Sequence, residues 1–131
     1  MRVVGIGTDA AEIDRIVDLY ERHTDAFMTR VFTAKEREYC QARKKNIGES
    51  LAARWAAKEA VMKALGVGWS RGVAWTDIEV ESLPSGAPTL NITGRAKEIA
   101  DELGVVDWQI SLTHCKTLAI AFVVASAQDL P

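Results

Sequence analysis

The sequence lacks several features that mark specialised classes of protein. Among its 131 residues there are only two cysteines, Cys40 and Cys115, too few for a disulfide framework or a zinc site. No apolar run approaches the roughly 20 residues of a membrane-spanning helix. The N-terminal segment reaches Asp9 without the long apolar stretch of a signal peptide. These absences predict one domain over residues 1–131, in a reducing cytoplasm and away from membranes.

A large excess of charge of one sign is also missing, because 16 Lys and Arg residues face 18 Asp and Glu residues. A nucleic-acid-binding protein is expected to carry a strongly basic face with interleaved aromatic residues, which this sequence does not show. The charge is nevertheless uneven, since residues 1–71 carry a net +3 and residues 72–131 a net −5. The first half of the chain can therefore face an acidic partner, although a well-solvated surface explains the same count.

The pattern of apolar and turn-forming residues predicts a mixed fold. Predicted strands are Val3–Gly7, Val73–Glu81, Thr89–Thr93, Trp108–Thr113 and Leu118–Ala125. Predicted helices run from Ile13 through Tyr20, from the Thr33–Glu36 capping box towards Arg43, over Glu49–Leu65 and over Arg95–Leu103, with a loop at Lys44–Gly48. Strands and helices do not alternate regularly, so we expect an α+β fold with a small, largely antiparallel sheet packed against a long central helix.

The helix predicted over Glu49–Leu65 carries the first candidate pair of functional residues. Glu59 and Lys63 lie one turn apart and therefore share a face, while Arg54 and Lys58 point away from that face. Most other positions are apolar, so the helix should be largely buried, where charges are costly unless they have partners. The pair is either a simple i, i+4 ion pair or part of a ligand site.

Asp9 is the second candidate, because it follows a strand that contains Gly5 and Gly7. Glycine at these positions permits close approach of another backbone. One interpretation is that Asp9 caps the first helix and that Glu12 completes a capping pair. The other is that Asp9 and Glu59 together bind Mg²⁺, which favours one or two carboxylates with waters and substrate phosphates.

His114 ends the strand predicted over Trp108–Thr113, and it is either a turn residue or a catalytic one. A nucleophilic pair of His114 and Cys115 is not expected, because adjacent residues of a strand point to opposite faces. The other histidine, His23, lies in a polar stretch and is interpreted as solvated.

Two motifs resemble those of a known family. The segment Gly5–Asp9 followed by Glu12–Arg15 is similar to the opening motif of the holo-acyl-carrier-protein synthases, and Ser50–Ala60 continuing to Lys63–Gly66 is similar to the signature of the phosphopantetheinyl transferases. Further matches follow in the same order at Phe32-Thr33 with Glu36, at the Gly86–Pro88 turn and at Ile110–His114. The resemblance covers nearly the whole chain. The length fits the small type of transferase and not the doubled type, which has two such halves in one chain. Ala10 and Ala11 depart from it by replacing larger aliphatic residues.

The resemblance implies the 4′-phosphopantetheinyl transferase fold and its reaction. A serine of an apo-acyl carrier protein attacks the β-phosphate of coenzyme A, and adenosine 3′,5′-bisphosphate leaves, in the service of fatty acid biosynthesis. It implies further that Asp9 and Glu59 bind Mg²⁺, that Lys63 holds the phosphates, and that Glu59 accepts the proton of the serine, directly or through a water.

The resemblance also implies contacts beyond this centre. The expected coenzyme A contacts are Arg54, Pro88, Thr113 and His114. The expected docking residues for the acidic carrier protein are Arg15 and Arg22, and Arg30 is a further candidate. The alternative is that these are ordinary solvated arginines. Proteins of this type form trimers with active sites between subunits, so a homotrimer is expected. The rival interpretation is a non-catalytic module that binds coenzyme A, whose expected mark, loss of Asp9, Glu59 or Lys63, is absent.

Overall fold

A computed structural model describes all residues from Met1 to Pro131. The helices are α1 (Ile13–Arg22), α2 (Thr24–Val31), α3 (Ala34–Ala42), α4 (Ile47–Leu65) and α5 (Gly94–Glu102). The strands are β1 (Arg2–Glu12), β2 (Ile78–Ser82), β3 (Pro88–Ile92), β4 (Val105–His114) and β5 (Leu118–Ala127). Short 3₁₀ turns cover Lys44–Asn46, Trp69–Arg71 and Trp75–Asp77. None of the helices is both long and apolar enough to cross a membrane.

The strands form two antiparallel sheets. Strand β5 is the centre of a three-stranded sheet ordered β1-β5-β4, and β2 pairs with β3 in a separate hairpin. Alternate residues of β5 are buried, from Ala119 through Ala125, because side chains of a strand alternate between its two faces. The predicted α+β class with a small antiparallel sheet is confirmed.

Helix α4 packs along the buried face of this sheet and is the centre of the core. It is apolar on most sides, so that Leu51, Ala56, Ala57, Ala60 and Val61 have no exposed surface. Its end is set by Gly66, which adopts the left-handed conformation at φ 71° and donates its N–H to the carbonyl of Lys63. The predicted long central helix is confirmed, with its start at Ile47.

Two glycines of β1 bring this strand against the backbone of α4. A Cβ atom at Gly7 would fall on the carbonyl oxygen of Ala60, and one at Gly5 on the carbonyl oxygen of Ala64. No other residue has a side chain small enough for this approach. The close contact carries Asp9, two residues further along β1, to the side of α4.

Gly7→Ala should therefore destabilise the protein by about 3 kcal/mol or more, because the strand must move away from α4 and neighbouring packing is lost. Urea unfolding followed by circular dichroism measures the change in the free energy of unfolding. Gly68→Ala is the matched control, since φ of −101° suits alanine and no atom lies within 4 Å of the added Cβ. Equal stability of the two variants would contradict the close-packing explanation.

The structure differs from the predicted elements in several places. Strand β1 continues to Glu12 because every residue from Gly5 to Glu12 pairs with β5. Helix α2 was not predicted at all. The strand predicted from Val73 begins only at Ile78, after the 3₁₀ turn Trp75–Asp77. The loop predicted at Lys44–Gly48 is a 3₁₀ turn followed by the first turn of α4.

Candidate active site

Asp9, Glu59 and Lys63 line the same cleft between β1, α1 and α4, which we call the first cleft. Its volume is about 310 Å³, and its other lining residues are Ala10, Ala11, Glu12, Arg15, Ile16 and Trp55. The three residues come from two distant parts of the sequence that the glycine contact of β1 and α4 brings together. The first cleft therefore combines carboxylates with cationic side chains, a set that suits a phosphate ligand and its counter-ion.

Lys63 is bound to β1. Its Nζ lies 3.2 Å from Oδ1 of Asp9 and donates a hydrogen bond of 2.8 Å to the carbonyl oxygen of Thr8. The lysine side chain remains 54% exposed and the aspartate 19% exposed, so the ammonium group stays accessible from the cleft. The alternative of an i, i+4 ion pair with Glu59 is wrong, because the ion-pair partner of Lys63 is Asp9.

The interpretation of Asp9 as a helix cap is also wrong. Helix α1 begins at Ile13, its N-cap residue is Glu12, and no side chain caps it. Asp9 instead lies within β1 opposite Ala121, on the face that looks towards α4. The cap interpretation assumed that β1 ended before Asp9, whereas pairing with β5 extends the strand beyond it.

Glu59 has a partner that the sequence analysis missed. Its Oε1 accepts a hydrogen bond of 3.3 Å from the indole N–H of Trp69, in the turn after α4. The ring of Trp69 stacks on Trp75 with a centroid separation of 4.0 Å, and Trp75 lies 4.4 Å from Trp55. An aromatic stack thus runs from Trp69 to a wall of the first cleft.

The two carboxylates fit a magnesium site of the kind completed by substrate. The chain has no cluster of three or more His, Cys, Asp or Glu side chains able to hold a metal ion by themselves. Mg²⁺ is commonly bound by one or two carboxylates with waters and substrate phosphates as its other ligands. Asp9 and Glu59 each keep one oxygen without a partner in the protein, which satisfies that requirement.

A second cleft, of about 380 Å³, lies on the other side of α4. Its lining residues are Tyr39, Arg43, Asn46, Glu49, Ser50, Ala53, Arg54, Gly86, Leu112 and His114. The predicted coenzyme A contacts Arg54 and His114 thus share this cleft. Pro88, at the start of β3, and Thr113, on β4, do not line either of the two clefts.

Arg54 is the most unusual side chain of the second cleft. It is 4% exposed, and its Nε has no hydrogen-bond partner. Its guanidinium lies 4.1 Å above the ring of Tyr39, where Arg43 also approaches to 4.9 Å. His114 faces the same space with Nε2 at 3.3 Å from the Glu49 carboxylate. A buried donor without a partner beside a second arginine is suited to an anionic ligand.

A buried ion pair holds the β2–β3 hairpin and α3 against α4. Lys58 and Glu36 have no exposed side-chain surface, and Nζ of Lys58 lies 2.8 Å from Oε1 of Glu36. Lys58 also donates to the carbonyl oxygens of Trp75 and Ile78, while Oε2 of Glu36 accepts the N–H of Val80. Burial lowers the pKa of Lys58, and Glu36 opposes that shift.

The cysteines take no part in either cleft. Cys40 is fully buried, and burial raises the pKa of its thiol to about 11. Cys115 is exposed and contacts the hydroxyl of Thr117 at 3.7 Å. Hydrogen bonding at Thr117 and Leu118 lowers the pKa of the Cys115 thiol.

Comparison with known protein families identifies the superfamily of the chain. The family model for the 4′-phosphopantetheinyl transferase superfamily matches residues 5–123, a span that includes all the residues lining both clefts. The chain therefore belongs to the 4′-phosphopantetheinyl transferase superfamily.

Similar proteins give a finer grouping within the superfamily. The holo-[acyl-carrier-protein] synthase of Gloeobacter violaceus is 49% identical over 118 residues, which cover 90% of this chain and 89% of that protein. The synthase of Bacillus anthracis, solved in complex with CoA (3′,5′-ADP), is 36% identical with a TM-score of 0.77, over 96% and 98% of the two chains. The Helicobacter pylori synthase, solved with coenzyme A, is 31% identical with a TM-score of 0.81, over 92% and 99%. The predicted resemblance to holo-acyl-carrier-protein synthases is confirmed.

Proposed function

We propose that residues 1–131 form one phosphopantetheinyl transferase domain, which transfers the 4′-phosphopantetheine group of coenzyme A to a serine of apo-acyl carrier protein. The products are holo-acyl carrier protein and adenosine 3′,5′-bisphosphate, and the reaction serves fatty acid biosynthesis. The observation that carries the proposal is the meeting of Asp9, Glu59 and Lys63 in the first cleft of a superfamily scaffold. Both cysteines are free thiols, in keeping with a cytoplasmic location.

The first cleft is proposed to hold the pyrophosphate of coenzyme A. Asp9 and Glu59 are the proposed ligands of Mg²⁺, which, when bound, stabilises charge on phosphoryl oxygens. Lys63 is positioned by Asp9 and by the carbonyl of Thr8, so its ammonium group is held at the cleft before substrate arrives. A fixed cation of this kind stabilises charge that develops as the phosphoryl group is transferred.

Glu59 is the proposed proton acceptor. The serine oxygen of the carrier protein forms a bond to the β-phosphorus, and the bond from that phosphorus to the bridging oxygen breaks. The electron pair of the broken bond leaves with adenosine 3′,5′-bisphosphate, and the hydroxyl proton passes to the Glu59 carboxylate. The hydrogen bond from Trp69 occupies one oxygen of Glu59 and the other is the proposed ligand of Mg²⁺, so the proton passes through a water to a remaining lone pair of the carboxylate.

The second cleft is proposed to hold the adenosine and the 3′-phosphate of coenzyme A, against Arg54 and His114. Pro88 and Thr113 line neither cleft, and their proposed contacts with coenzyme A rest on the family resemblance alone. The two clefts share no lining residue. We therefore propose a homotrimer in which the first cleft of one subunit and the second cleft of its neighbour bind one coenzyme A. The exposed outer face of the three-stranded sheet supports association, since Ile6 is 61% and Phe122 47% exposed there.

The carrier protein is proposed to dock beside the first cleft. Arg15 lies on α1 and lines that cleft. Arg22 is the last residue of α1, and its exposed side chain pairs with Asp18 at 2.9 Å. These two arginines suit an acidic protein surface, and Arg22 is able to exchange Asp18 for a carboxylate of the partner. Docking through such exposed charges should weaken as the salt concentration rises.

Arg54→Met tests the second cleft. The apolar stem is kept, but the guanidinium is lost, so the Michaelis constant for coenzyme A should rise about tenfold or more. The constant for dephospho-coenzyme A, which lacks the 3′-phosphate, should change much less. Arg71→Met, at an exposed arginine of the turn after α4, is the control variant. An equal rise in the Michaelis constants for both substrates would contradict the proposed contact between Arg54 and the 3′-phosphate.

The reaction itself is tested with the purified protein, coenzyme A, Mg²⁺ and an apo-acyl carrier protein, whose intact mass is then measured. A gain of one phosphopantetheinyl group that disappears with EDTA is the expected result. Binding of coenzyme A without any gain in mass would favour a non-catalytic module. Neither binding nor mass gain would overturn the proposed function.

A further inference from the structure

Trp69 is the only residue of the turn after α4 that bonds to a side chain of the first cleft. Its indole N–H donates to Oε1 of Glu59 across 3.3 Å, and it lies 10 residues further along the chain. An indole nitrogen only donates, so the bond is made to a lone pair of the carboxylate oxygen. The contact therefore restrains a long, flexible side chain in one orientation.

The position of this N–H is itself fixed by packing. The rings of Trp69 and Trp75 stack at 24° with a centroid distance of 4.0 Å, and Trp55 continues the stack at 4.4 Å. Glycines in the left-handed conformation flank the turn, at Gly66 (φ 71°) and at Gly72 (φ 82°). These glycines allow the chain to turn before and after Trp69, so that its indole lies against Glu59 of α4.

We propose that Trp69 is a positioning residue for the divalent cation: its indole N–H holds Oε1 of Glu59 and so leaves Oε2 in place for the ion. The inference rests on the proposed function, because it takes Asp9 and Glu59 as the ligands. Hydrogen bonds to ligating carboxylates orient them, and removing such a bond commonly lowers metal affinity by about 10-fold to 100-fold. This role does not require the Trp69 ring to contact the substrate.

The test compares two substitutions of stacked tryptophans. Trp69→Phe keeps an aromatic ring on Trp75 but removes the N–H that reaches Glu59. Trp75→Phe is the matched control, because it removes an indole N–H of the same stack that has no partner. Mn²⁺ binding is measured by the loss of the free-ion electron paramagnetic resonance signal, with saturating coenzyme A and with a protein-free sample for subtraction. Melting temperatures show that each variant is folded.

We expect the dissociation constant for Mn²⁺ to rise about tenfold in Trp69→Phe and to stay within about twofold of the parent in Trp75→Phe. An unchanged constant in Trp69→Phe would overturn the inference while leaving the metal site intact. Equal weakening in both variants would also overturn it, since the stack and not the N–H would then be responsible. No Mn²⁺ binding by the unsubstituted protein would overturn the metal role of Glu59 in the proposed function, and the inference with it.

Discussion

Glu59→Gln should lower the turnover number of phosphopantetheine transfer by about a thousandfold while the protein remains folded. The amide has the size of the carboxylate, and its oxygen still accepts the hydrogen bond from Trp69. It carries no negative charge for the cation and is not a base, so both proposed roles are lost together. The rate of mass gain by the apo-acyl carrier protein measures the effect.

The control is Glu102→Gln at the end of α5, an exposed glutamate that lines neither cleft. Its turnover number should equal that of the parent protein. Thermal unfolding of both variants separates a lost reaction from a lost fold. If Glu59→Gln kept more than about a tenth of the parent turnover, far above what loss of a general base allows, Glu59 would be neither proton acceptor nor essential ligand.

Lys58→Met should reduce the free energy of unfolding by about 3–5 kcal/mol, because it leaves the Glu36 carboxylate buried without its cation. The carbonyl oxygens of Trp75 and Ile78 lose their donor at the same time. Methionine fills the space of the lysine stem, so the loss reports the unpaired polar groups and not a large cavity. Urea unfolding followed by tryptophan fluorescence measures it.

Lys97→Met provides the same chemical change at an exposed ion pair. Lys97 lies 2.6 Å from Asp101 on α5, and both side chains are more than half exposed. Exposed i, i+4 pairs contribute only about 0.3–0.5 kcal/mol, so this variant should be nearly as stable as the parent. A similar loss in the two variants would show that burial does not set the value of the Lys58–Glu36 pair.

The sequence predicted those elements whose signals are local. The capping box of Thr33 and Glu36 lies three residues apart and forms as predicted, with each side chain bonding the other's backbone N–H. Gly66 ends α4 through its own conformation. Glu59 and Lys63 share a helix face because four residues make about one turn. Such features need no knowledge of the rest of the chain.

The errors arise where pairing between distant segments decides the structure. Glu12 belongs to β1 because it lies opposite Leu118, and nothing near Glu12 in the sequence indicates this partner. Helix α2 is short and has no side-chain cap, so its buried residues Phe27, Met28 and Val31 were its only signal. Residues 73–77 look strand-like, but Asp77 caps a 3₁₀ turn there through the N–H of Ala74.

The hydrogen-bond partners of the charged residues on α4 could not be predicted from the sequence either. Asp9, Glu59 and Lys63 were predicted as one set, and the structure brings them to one cleft. The Lys63–Asp9 bond, however, spans 54 residues, and the Lys58–Glu36 bond spans 22. Helix periodicity shows which way Lys58 points but not which element receives it.

The position of β1 at the edge of its sheet has a consequence for how the protein folds. Its only strand neighbour is β5, so residues 2–12 cannot pair within the sheet before residues 118–127 are present. Pairing of strands that are far apart in the sequence slows the folding step that forms it, because a long loop must close first. During synthesis β1 therefore remains without its strand partner until the last strand has emerged. We therefore expect the full pairing of β1, the strand that holds Asp9 beside Lys63, to form late in folding.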